Sequence, residues 1–288
     1  MRVRSFAKIN LGIEILGKRD DGYHELRTLL QSIDFYDELI FKTAPENHIL
    51  LRGNDPDVPW DNRNLIYQAV QLIQQKVGVF SGLDIHVNKN IPPGSGLGGG
   101  SSNAAMTLFA LNQLWDLRLR ETEMFDLAKE LGADVPFFLK GGLCLGTGRG
   151  DALSPLKETI QCFCLLIIPN FSILTGDIYQ RYQASLTSGH KESKIIEFLE
   201  RRDFSLLNNG LEETVFKRYP QLKPIKTLLY SLGAEMSQVS GTGSAVFGIF
   251  SEKKKAELAV GEIRKRYTVF LVNTLSRELY WKKIRAGV

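Results

Sequence analysis

Cysteine and histidine are both scarce in this sequence of 288 residues, and neither residue type is spaced as a ligand set. The three cysteines, Cys144, Cys162 and Cys164, lie in apolar stretches and cannot form an even-numbered disulfide framework. We therefore expect buried, reduced thiols and a reducing compartment. The four histidines are scattered, with no second His or Cys at ligand spacing. No protein-built metal site is expected from them.

Long apolar runs and dense basic stretches are missing as well. No run approaches the roughly 20 apolar residues that a membrane-spanning helix needs, and residues 1–15 have neither an apolar core nor a small-residue cleavage site. We therefore expect a cytoplasmic protein with no membrane partner. The net charge of +4 suits anionic metabolites. No Lys/Arg stripe with interleaved aromatics predicts nucleic-acid binding, and the run 253–255 predicts a solvated helix face.

The hydrophobic patterns predict two α+β domains, residues 1–155 and 156–288, with a break at Ser154-Pro155. The first domain has strands over 7–15, 33–42 and 83–87, and helices that start at Asn64, follow residue 102 and span 121–131. The second has strands over 162–168, 235–240, 245–250 and 268–273, and helices over 176–184, 194–200, 222–232 and 254–266. This order of elements is typical of a split βαβ, ferredoxin-like domain.

A glycine-rich loop between a predicted strand and a predicted helix is the sharpest functional signal. Its small and hydroxyl residues are Gly94, Gly96, Gly98, Gly99, Gly100, Ser101 and Ser102. Without side chains, backbone N–H groups can approach an anion, and the following helix N-terminus favours negative charge. The hydroxyls can ligate a phosphate oxygen or Mg2+. A flexible linker is the alternative, but a linker does not lie between a regular strand and a regular helix.

Two commoner phosphate motifs fit this loop poorly. The spacing of Gly94, Gly96 and Gly99 matches the dinucleotide-binding pattern, but no acidic residue ends a second strand about 20 residues later. A Walker A loop requires Gly-Lys-Ser/Thr, and Gly100-Ser101 has no lysine between its members. Any cation that assists this loop must therefore come from elsewhere in the chain.

Lys8 and Asp134 are the candidates for acid–base chemistry. Lys8 stands in an apolar predicted strand, where an unpaired ammonium is costly. Asp134 precedes Val135-Pro136, and taken alone it is best explained as a helix N-cap. A buried lysine paired with a buried aspartate would instead favour the charged carboxylate and let it accept or orient a hydroxyl proton.

Four segments resemble motifs of the GHMP kinases, the small-molecule kinases that include galactokinase, homoserine kinase and mevalonate kinases. Residues 93–105, Pro-Gly-Ser-Gly-Leu-Gly-Gly-Gly-Ser-Ser-Asn-Ala-Ala, resemble the ATP-binding signature. Residues 7–11 with 21–26 resemble the N-terminal motif, and 132–136 resemble the catalytic-aspartate motif. Residues 240–244, Ser-Gly-Thr-Gly-Ser, resemble the third motif and are called the second glycine loop below. The form Gly-Gly-Gly-Ser-Ser-Asn-Ala-Ala is similar to the branch that phosphorylates 4-diphosphocytidyl-2-C-methyl-D-erythritol.

The resemblance implies a ribosomal-protein-S5-like N-terminal domain, a ferredoxin-like C-terminal domain and an active site in the cleft between them. It implies phosphorylation of the substrate 2-hydroxyl with ATP and Mg2+, in the non-mevalonate isoprenoid route. Asp134 would be the catalytic carboxylate and Lys8 its partner. The implied ATP-binding residues are Asn64, Pro93, Gly94, Ser95, Gly96, Leu97, Gly98, Gly99, Gly100, Ser101, Ser102 and Asn103.

The resemblance also implies a cytidine site in which His24 hydrogen-bonds the cytosine edge between the rings of Tyr23 and Tyr179. The implied substrate-binding residues are Asn10, Tyr23, His24, Thr175, Tyr179, Gly241, Thr242 and Gly243. We expect a small-molecule substrate and ATP as partners, no nucleic acid, and a monomer or weak homodimer.

Three other functions stay open at the level of sequence. A GHMP kinase for mevalonate or homoserine is disfavoured by the Tyr23-His24 pair and Asn103. A non-catalytic GHMP-fold nucleotide sensor is disfavoured because Lys8 and Asp134 are both present. A nicotinamide-dependent oxidoreductase lacks its acidic ribose ligand.

Overall fold

The computed structural model describes residues 1–44, 48–157, 160–182 and 192–286. Within these ranges the chain forms two sheets, each covered by helices, and the cleft between the two units contains the candidate site. This two-part α+β architecture confirms the predicted fold class. Among the described residues, no helix combines the length and apolarity required to span a bilayer.

The N-terminal sheet contains the strands β1 Arg2–Lys18, β2 His24–Ala44, β3 Ile49–Gly53, β4 Gly82–Asn88, β5 Leu143–Gly148 and β6 Ala152–Pro155. Their order is β3-β4-β2-β5-β6, and β1 pairs with β2. The register of β1 on β2 shifts between Phe6 and Lys8 and again between Asn10 and Gly12. Such irregularities bend a strand and redirect its side chains. Lys8 and Asn10, two residues apart, share one face of β1.

Helices of the N-terminal unit pack on this sheet around one apolar core. They are α1 Leu65–Val77, α2 Gly99–Leu114, α3 Glu121–Leu131 and α4 Val135–Lys140. The final helix, α10 Arg277–Arg285, returns from the C-terminal unit to this core. There the wholly buried Tyr280 donates a hydrogen bond to the carbonyl of Phe138 at 2.7 Å. The last helix is therefore spatially part of the N-terminal unit.

The C-terminal sheet contains the strands β7 Phe163–Ile167, β8 Met236–Val239, β9 Val246–Phe250 and β10 Val269–Asn273. It is antiparallel with the order β10-β7-β9-β8, as expected for the ferredoxin-like arrangement predicted from the sequence. Its helices are α5 Thr175–Arg181, α6 Lys194–Arg201, α7 Glu212–Arg218, α8 Leu222–Ser231 and α9 Lys253–Ile263, with a 3-10 turn over Phe204–Leu206.

Most predicted elements are confirmed within one or two residues at each end. The exceptions include β1 and β2, which are longer than the predicted strands 7–15 and 33–42. In addition, α2 starts at Gly99 and not after residue 102, and α9 ends at Ile263 and not at residue 266. The prediction missed β3, β5, β6, α7 and α10, while α4 begins where Asp134 was expected to cap a helix. The predicted helix over 176–184 is seen as α5, and residues 183 and 184 lie outside the described ranges. The three cysteines are free, with Cys144 and Cys164 buried and Cys162 half-buried. Lys253 and Lys255 are exposed, and they pair with Glu257 of α9 and with Glu252, its N-cap residue, as expected for a solvated face.

Candidate active site

A cavity of about 940 Å³ lies between the two units and collects most of the predicted site residues. It is lined by β1, the start of β2, the glycine loop, the start of α4, α5 and the second glycine loop. The predicted residues on its wall are Lys8, Asn10, Tyr23, His24, Pro93, Gly94, Ser95, Gly96, Gly98, Gly99, Gly100, Ser101, Asp134, Thr175, Tyr179, Gly241 and Thr242.

Five predicted residues do not line this cavity: Asn64, Leu97, Ser102, Asn103 and Gly243. The Asn64 side chain caps α1 by accepting from Ile66 N at 2.9 Å, and its amide also donates to Pro59 O at 2.8 Å. The next residue, Leu65, lines the cavity in its place. Leu97 is fully buried in the apolar core. The structure therefore does not bring these five positions onto the cavity wall with the other predicted residues.

Four consecutive carbonyl groups of the glycine loop, those of residues 94–97, accept hydrogen bonds from other parts of the chain. Ser244 N donates to Gly94 O at 3.2 Å, and Ala245 N donates to Ser95 O at 3.0 Å. The Ser240 hydroxyl donates to Gly96 O at 2.9 Å, and Lys8 N donates to Leu97 O at 3.0 Å. Because the carbonyl dipoles are held by these partners, the N–H side of the loop can serve an anion in the cleft.

Gly96 and Gly98 are positions where only glycine fits. Gly96 has φ +76°, and a Cβ there would lie 1.9 Å from the carbonyl oxygen of Ser240. Gly98 has φ +72°, and its Cβ would lie 2.7 Å from the ring of Phe138 and 3.2 Å from Cε of Lys8. Left-handed backbone and close approach both exclude a side chain. The backbones of the two glycine loops are therefore packed directly against each other, and the Lys8 side chain packs against Gly98.

A buried ion pair fixes the start of the glycine loop. Lys89 Nζ lies 2.6 Å from Asp37 Oδ2, and the two side chains are 5% and 0% exposed. The other oxygen of Asp37 accepts from Asn90 N at 2.7 Å and from Ile91 N at 2.8 Å. Charge-assisted bonds of this kind are strong and directional. Sequence reasoning did not find this pair, because Asp37 lies in one predicted strand and Lys89 follows another, and the pairing of the two strands was not predicted.

The two serines at the start of α2 have different surroundings. Ser102 is fully buried, donates to Phe6 O at 2.7 Å and accepts from the Ser5 hydroxyl at 2.7 Å. Ser101 lines the cavity. Ser101 is thus the serine placed to meet a phosphate oxygen or a metal ion, while Ser102 attaches α2 to β1.

We therefore expect the Ser101→Ala and Ser102→Ala variants to fail in different ways. Ser101→Ala should raise the KM for ATP with little change in thermal stability. Ser102→Ala should lower stability by about 1–3 kcal/mol, because it leaves buried hydrogen-bonding groups without a partner, and should leave the KM for ATP near its wild-type value. Denaturant unfolding and ATP titrations on both variants test this; equal KM changes would contradict it.

Lys8 and Asp134 meet on the wall of the cavity. Lys8 Nζ lies 3.7 Å from Asp134 Oδ2 and also donates to Oδ1 of Asn10. Burial lowers the pKa of Lys8, and the charge of Asp134 opposes that shift. The expectation that both partners are buried is wrong for Asp134, whose side chain is 46% exposed against 5% for Lys8. The carboxylate faces the cleft, where a ligand can reach it.

Asp134 does not serve as the helix cap that its position before Pro136 suggested. It stands at the N-cap position of α4, but its side chain accepts no capping hydrogen bond. Its carboxylate is directed toward Lys8 instead. Helix capping therefore does not explain the presence of Asp134 at this position, whereas its pairing with Lys8 does.

Aromatic and cationic side chains surround the other end of the cavity. The ring of His24 lies 5.5 Å from that of Tyr179, at an interplanar angle of 33°, and 5.6 Å edge-on from that of Tyr182. The Arg149 guanidinium covers Tyr23 at 5.1 Å from the ring centroid and is held by Asp151 at 2.8 Å. The predicted rings share one region, but Tyr179 contacts His24 directly, with no gap between the two rings.

Sequence reasoning missed Tyr182, Arg149 and Lys18 on this wall. Tyr182 follows Tyr179 by three residues, a helical spacing that could have indicated a shared face. Arg149 follows β5, a strand that the prediction missed, and no local signal marks it. With Lys8, these two cations outnumber the two carboxylates on the cavity wall, Asp21 and Asp134. The cleft therefore suits a polyanionic ligand.

The fold and the site together define a GHMP kinase. Residues 64–142 match the family model of the GHMP kinases N terminal domain, and residues 195–269 match that of the GHMP kinases C terminal domain. A homoserine kinase from Cytophaga hutchinsonii shares the fold, with a TM-score of 0.72, 18% identity and coverage of 96% of this chain and 95% of that chain.

Nearer relatives define the branch. The chain is 34% identical over 281 residues to the 4-diphosphocytidyl-2-C-methyl-D-erythritol kinase of Clostridium botulinum (strain Eklund 17B / Type B), covering 96% of this chain and 100% of that protein. It is 38% identical over 285 residues to that of Thermodesulfovibrio yellowstonii, covering 96% and 98%. A crystal structure of 4-(cytidine 5'-diphospho)-2C-methyl-D-erythritol kinase matches with a TM-score of 0.81 and 32% identity, covering 95% and 99%. This chain belongs to the 4-diphosphocytidyl-2-C-methyl-D-erythritol kinase family of GHMP kinases.

Proposed function

We propose that this chain transfers the γ-phosphoryl group of ATP to the 2-hydroxyl of 4-diphosphocytidyl-2-C-methyl-D-erythritol. The observation that carries the proposal is one cavity that joins three parts: the Lys8–Asp134 pair, the glycine loop before α2, and the aromatic cluster around His24. Family membership supports the same reaction. ATP occupies the glycine-loop side and the cytidine half occupies the aromatic side.

The reaction needs positioning and charge neutralisation more than covalent help. The substrate hydroxyl oxygen attacks the γ-phosphorus, the bond between that phosphorus and the β–γ bridging oxygen breaks, and ADP leaves. Asp134 Oδ2 orients the hydroxyl and accepts its proton. Lys8, only 3.7 Å away, neutralises the charge that develops on the transferred phosphoryl oxygens.

Magnesium fits this site as an ion carried by the ATP phosphates. The described residues contain no cluster of three His, Cys, Asp or Glu side chains that could hold a metal by themselves. The Ser101 hydroxyl and the exposed Asp134 carboxylate are oxygen donors, the type that Mg2+ prefers beside phosphates. When bound, the ion supplies neutralisation of phosphate charge.

His24 recognises the cytosine edge as a neutral ring. Burial, and secondarily the charge of Lys18, lower the pKa of His24. A neutral imidazole has an acceptor nitrogen that can accept a hydrogen bond from the amino group of cytosine, a group that uracil lacks. Tyr23 and Tyr179 provide the flat surfaces beside it, and Arg149 and Lys18 provide positive charge for the diphosphate.

The His24 assignment predicts a one-sided pH dependence. CDP affinity should be constant between about pH 8 and about pH 6.5. Below about pH 6.5 it should weaken, because protonation of His24 at its lowered pKa removes the acceptor nitrogen. Calorimetric CDP titrations from about pH 8 to about pH 5 measure this. His24→Ala should bind more weakly and lose the acid limb; an unchanged limb in that variant would assign it to another group.

A substrate panel tests the proposed reaction. Purified protein with Mg2+-ATP should release ADP with the cytidine-diphospho alcohol, but not with mevalonate or homoserine. CDP should compete with the alcohol substrate, since the cytidine half supplies binding energy remote from the reacting hydroxyl. Turnover of mevalonate, or indifference to CDP at millimolar levels, would overturn the substrate assignment.

A further inference from the structure

A short segment before α7 connects the catalytic strand to the second glycine loop. Ile13 N donates to Asn208 O at 2.9 Å, and Gly210 N donates to Ile13 O at 2.8 Å, so residues 208–210 lie beside β1. β1 also carries Lys8 and Asn10. The position of this segment is therefore tied by backbone bonds to the strand that holds the catalytic pair.

Asn209, in the middle of this segment, is buried, and both its amide nitrogen and its amide oxygen form hydrogen bonds. Its amide nitrogen donates to Gly241 O at 2.7 Å and to Val239 O at 2.9 Å. Its amide oxygen accepts from Leu211 N at 2.9 Å. Glu212, which begins α7, adds a bond from the same side by accepting from Val239 N at 2.8 Å. The N-terminal arm of the second glycine loop, at Val239 and Gly241, is thus held from this segment.

The second glycine loop touches the reacting groups. Asn10 N donates to the Ser240 hydroxyl at 3.4 Å, and that hydroxyl donates to Gly96 O at 2.9 Å. A Cβ at Gly241 would lie 3.2 Å from Oδ1 of Asn10 and 3.6 Å from Nζ of Lys8. Any displacement of Gly241 therefore changes the space in which Lys8 meets the transferred phosphoryl group.

We propose that Asn209 is a positioning residue, which fixes the second glycine loop at its distance from Lys8 and Asn10 without touching either substrate. Its two donated bonds lie within the C-terminal unit. The backbone bonds of residues 208 and 210 to Ile13 join the same segment to β1 of the N-terminal unit. Errors of about 1 Å in such a site can lower rates about 100-fold. The effect on turnover rests on the proposed kinase function, while the bracing of the loop does not.

Asn209→Asp is the test variant, because the carboxylate keeps the acceptor for Leu211 N and loses both donors. Asn112→Asp is the matched control. Asn112, at the far end of α2, likewise donates to a carbonyl, Leu119 O at 3.3 Å, and accepts from Leu119 N at 3.0 Å. Asn209→Ser, whose hydroxyl can still accept from Leu211 N and donate one bond, is the intermediate variant.

Two measurements are needed, hydrogen–deuterium exchange of the peptide 236–246 and steady-state kinetics on the alcohol that the wild-type protein phosphorylates. Asn209→Asp should speed exchange in that peptide and lower kcat about 10- to 100-fold, with the KM for ATP nearly unchanged and Asn209→Ser in between. Asn112→Asp should change neither. The proposal is overturned by unchanged exchange in 236–246, by unchanged kcat, or by a kcat loss that only follows the folded fraction. If the wild-type protein were inactive on the cytidine-diphospho alcohol, only the substrate assignment would be overturned. The exchange result would still decide whether Asn209 holds the second glycine loop in place.

Discussion

Asp134→Asn is expected to keep the fold and most of the ATP affinity while lowering kcat at least ~100-fold, the usual scale for a general base. Asparagine retains the shape of the side chain but can neither accept the proton of the substrate hydroxyl nor pair with the Lys8 ammonium 3.7 Å away. Lys8→Ala should cause a similar loss. The double variant should be far from additive, since the two residues act as one unit.

Asp116→Asn is the control for this substitution. Asp116 is an exposed aspartate paired with Arg118 and stands after α2, outside the cavity wall. The kcat of the Asp116→Asn variant should match that of the wild-type protein. Near-normal turnover in folded Asp134→Asn would contradict the catalytic assignment.

The Asp134→Asn variant should also change the pKa of Lys8, which can be measured by spectroscopy. Asp134 is the group that raises the pKa of Lys8 against the effect of burial. Removing its charge should therefore move the pKa of Lys8 further below the ordinary lysine value, which can be followed by NMR titration of labelled lysine. A rise in that pKa would show that the two side chains do not interact as described.

Gly98→Val is expected to abolish measurable ATP binding. The residue has φ +72°, which a β-branched side chain does not adopt without strain, and its Cβ would lie 2.7 Å from the Phe138 ring. Gly99→Val should act similarly, because its Cβ would meet Ile91 at 2.8 Å and Lys89 Nζ at 2.9 Å. Both changes disrupt the turn that presents backbone N–H groups at the start of α2.

Gly261→Ala is the matched control, because Gly261 lies in α9 with nothing within 4 Å of its Cβ position. Calorimetric ATP titrations on the three variants, with circular dichroism to verify folding, measure the effect. ATP binding that persists at wild-type affinity in folded Gly98→Val would exclude the loop as the phosphate site.

The glycine loop could be predicted from sequence because its signal is local. Closely spaced glycines between a strand pattern and a helix pattern have few structural explanations, and Asn64 marked the start of α1 for the same local reason. The pairing of Lys8 with Asp134 was indicated by the cost of burying an unpaired ammonium. That argument did not predict that the aspartate would be half exposed.

The residues that sequence reasoning missed are those whose roles arise from tertiary contacts. Asp37, Arg149 and Asn209 have no unusual sequence neighbourhood, yet each is placed by an element distant along the chain. Ser101 and Ser102 are equivalent in the sequence, and only the packing of α2 on β1 distinguishes them. Strand β5 was missed because glycines interrupt its apolar alternation, and Arg149 was missed with it.

The position of the transferred phosphate tests the central claim most directly. The protein is incubated with Mg2+-ATP and 4-diphosphocytidyl-2-C-methyl-D-erythritol, and the product is analysed by phosphorus NMR and mass spectrometry. We predict one new phosphomonoester on the 2-hydroxyl, an intact cytidine diphosphate and one ADP for each product molecule. Phosphate on another hydroxyl, cleavage of the diphosphate, or no ADP from folded protein would contradict the account.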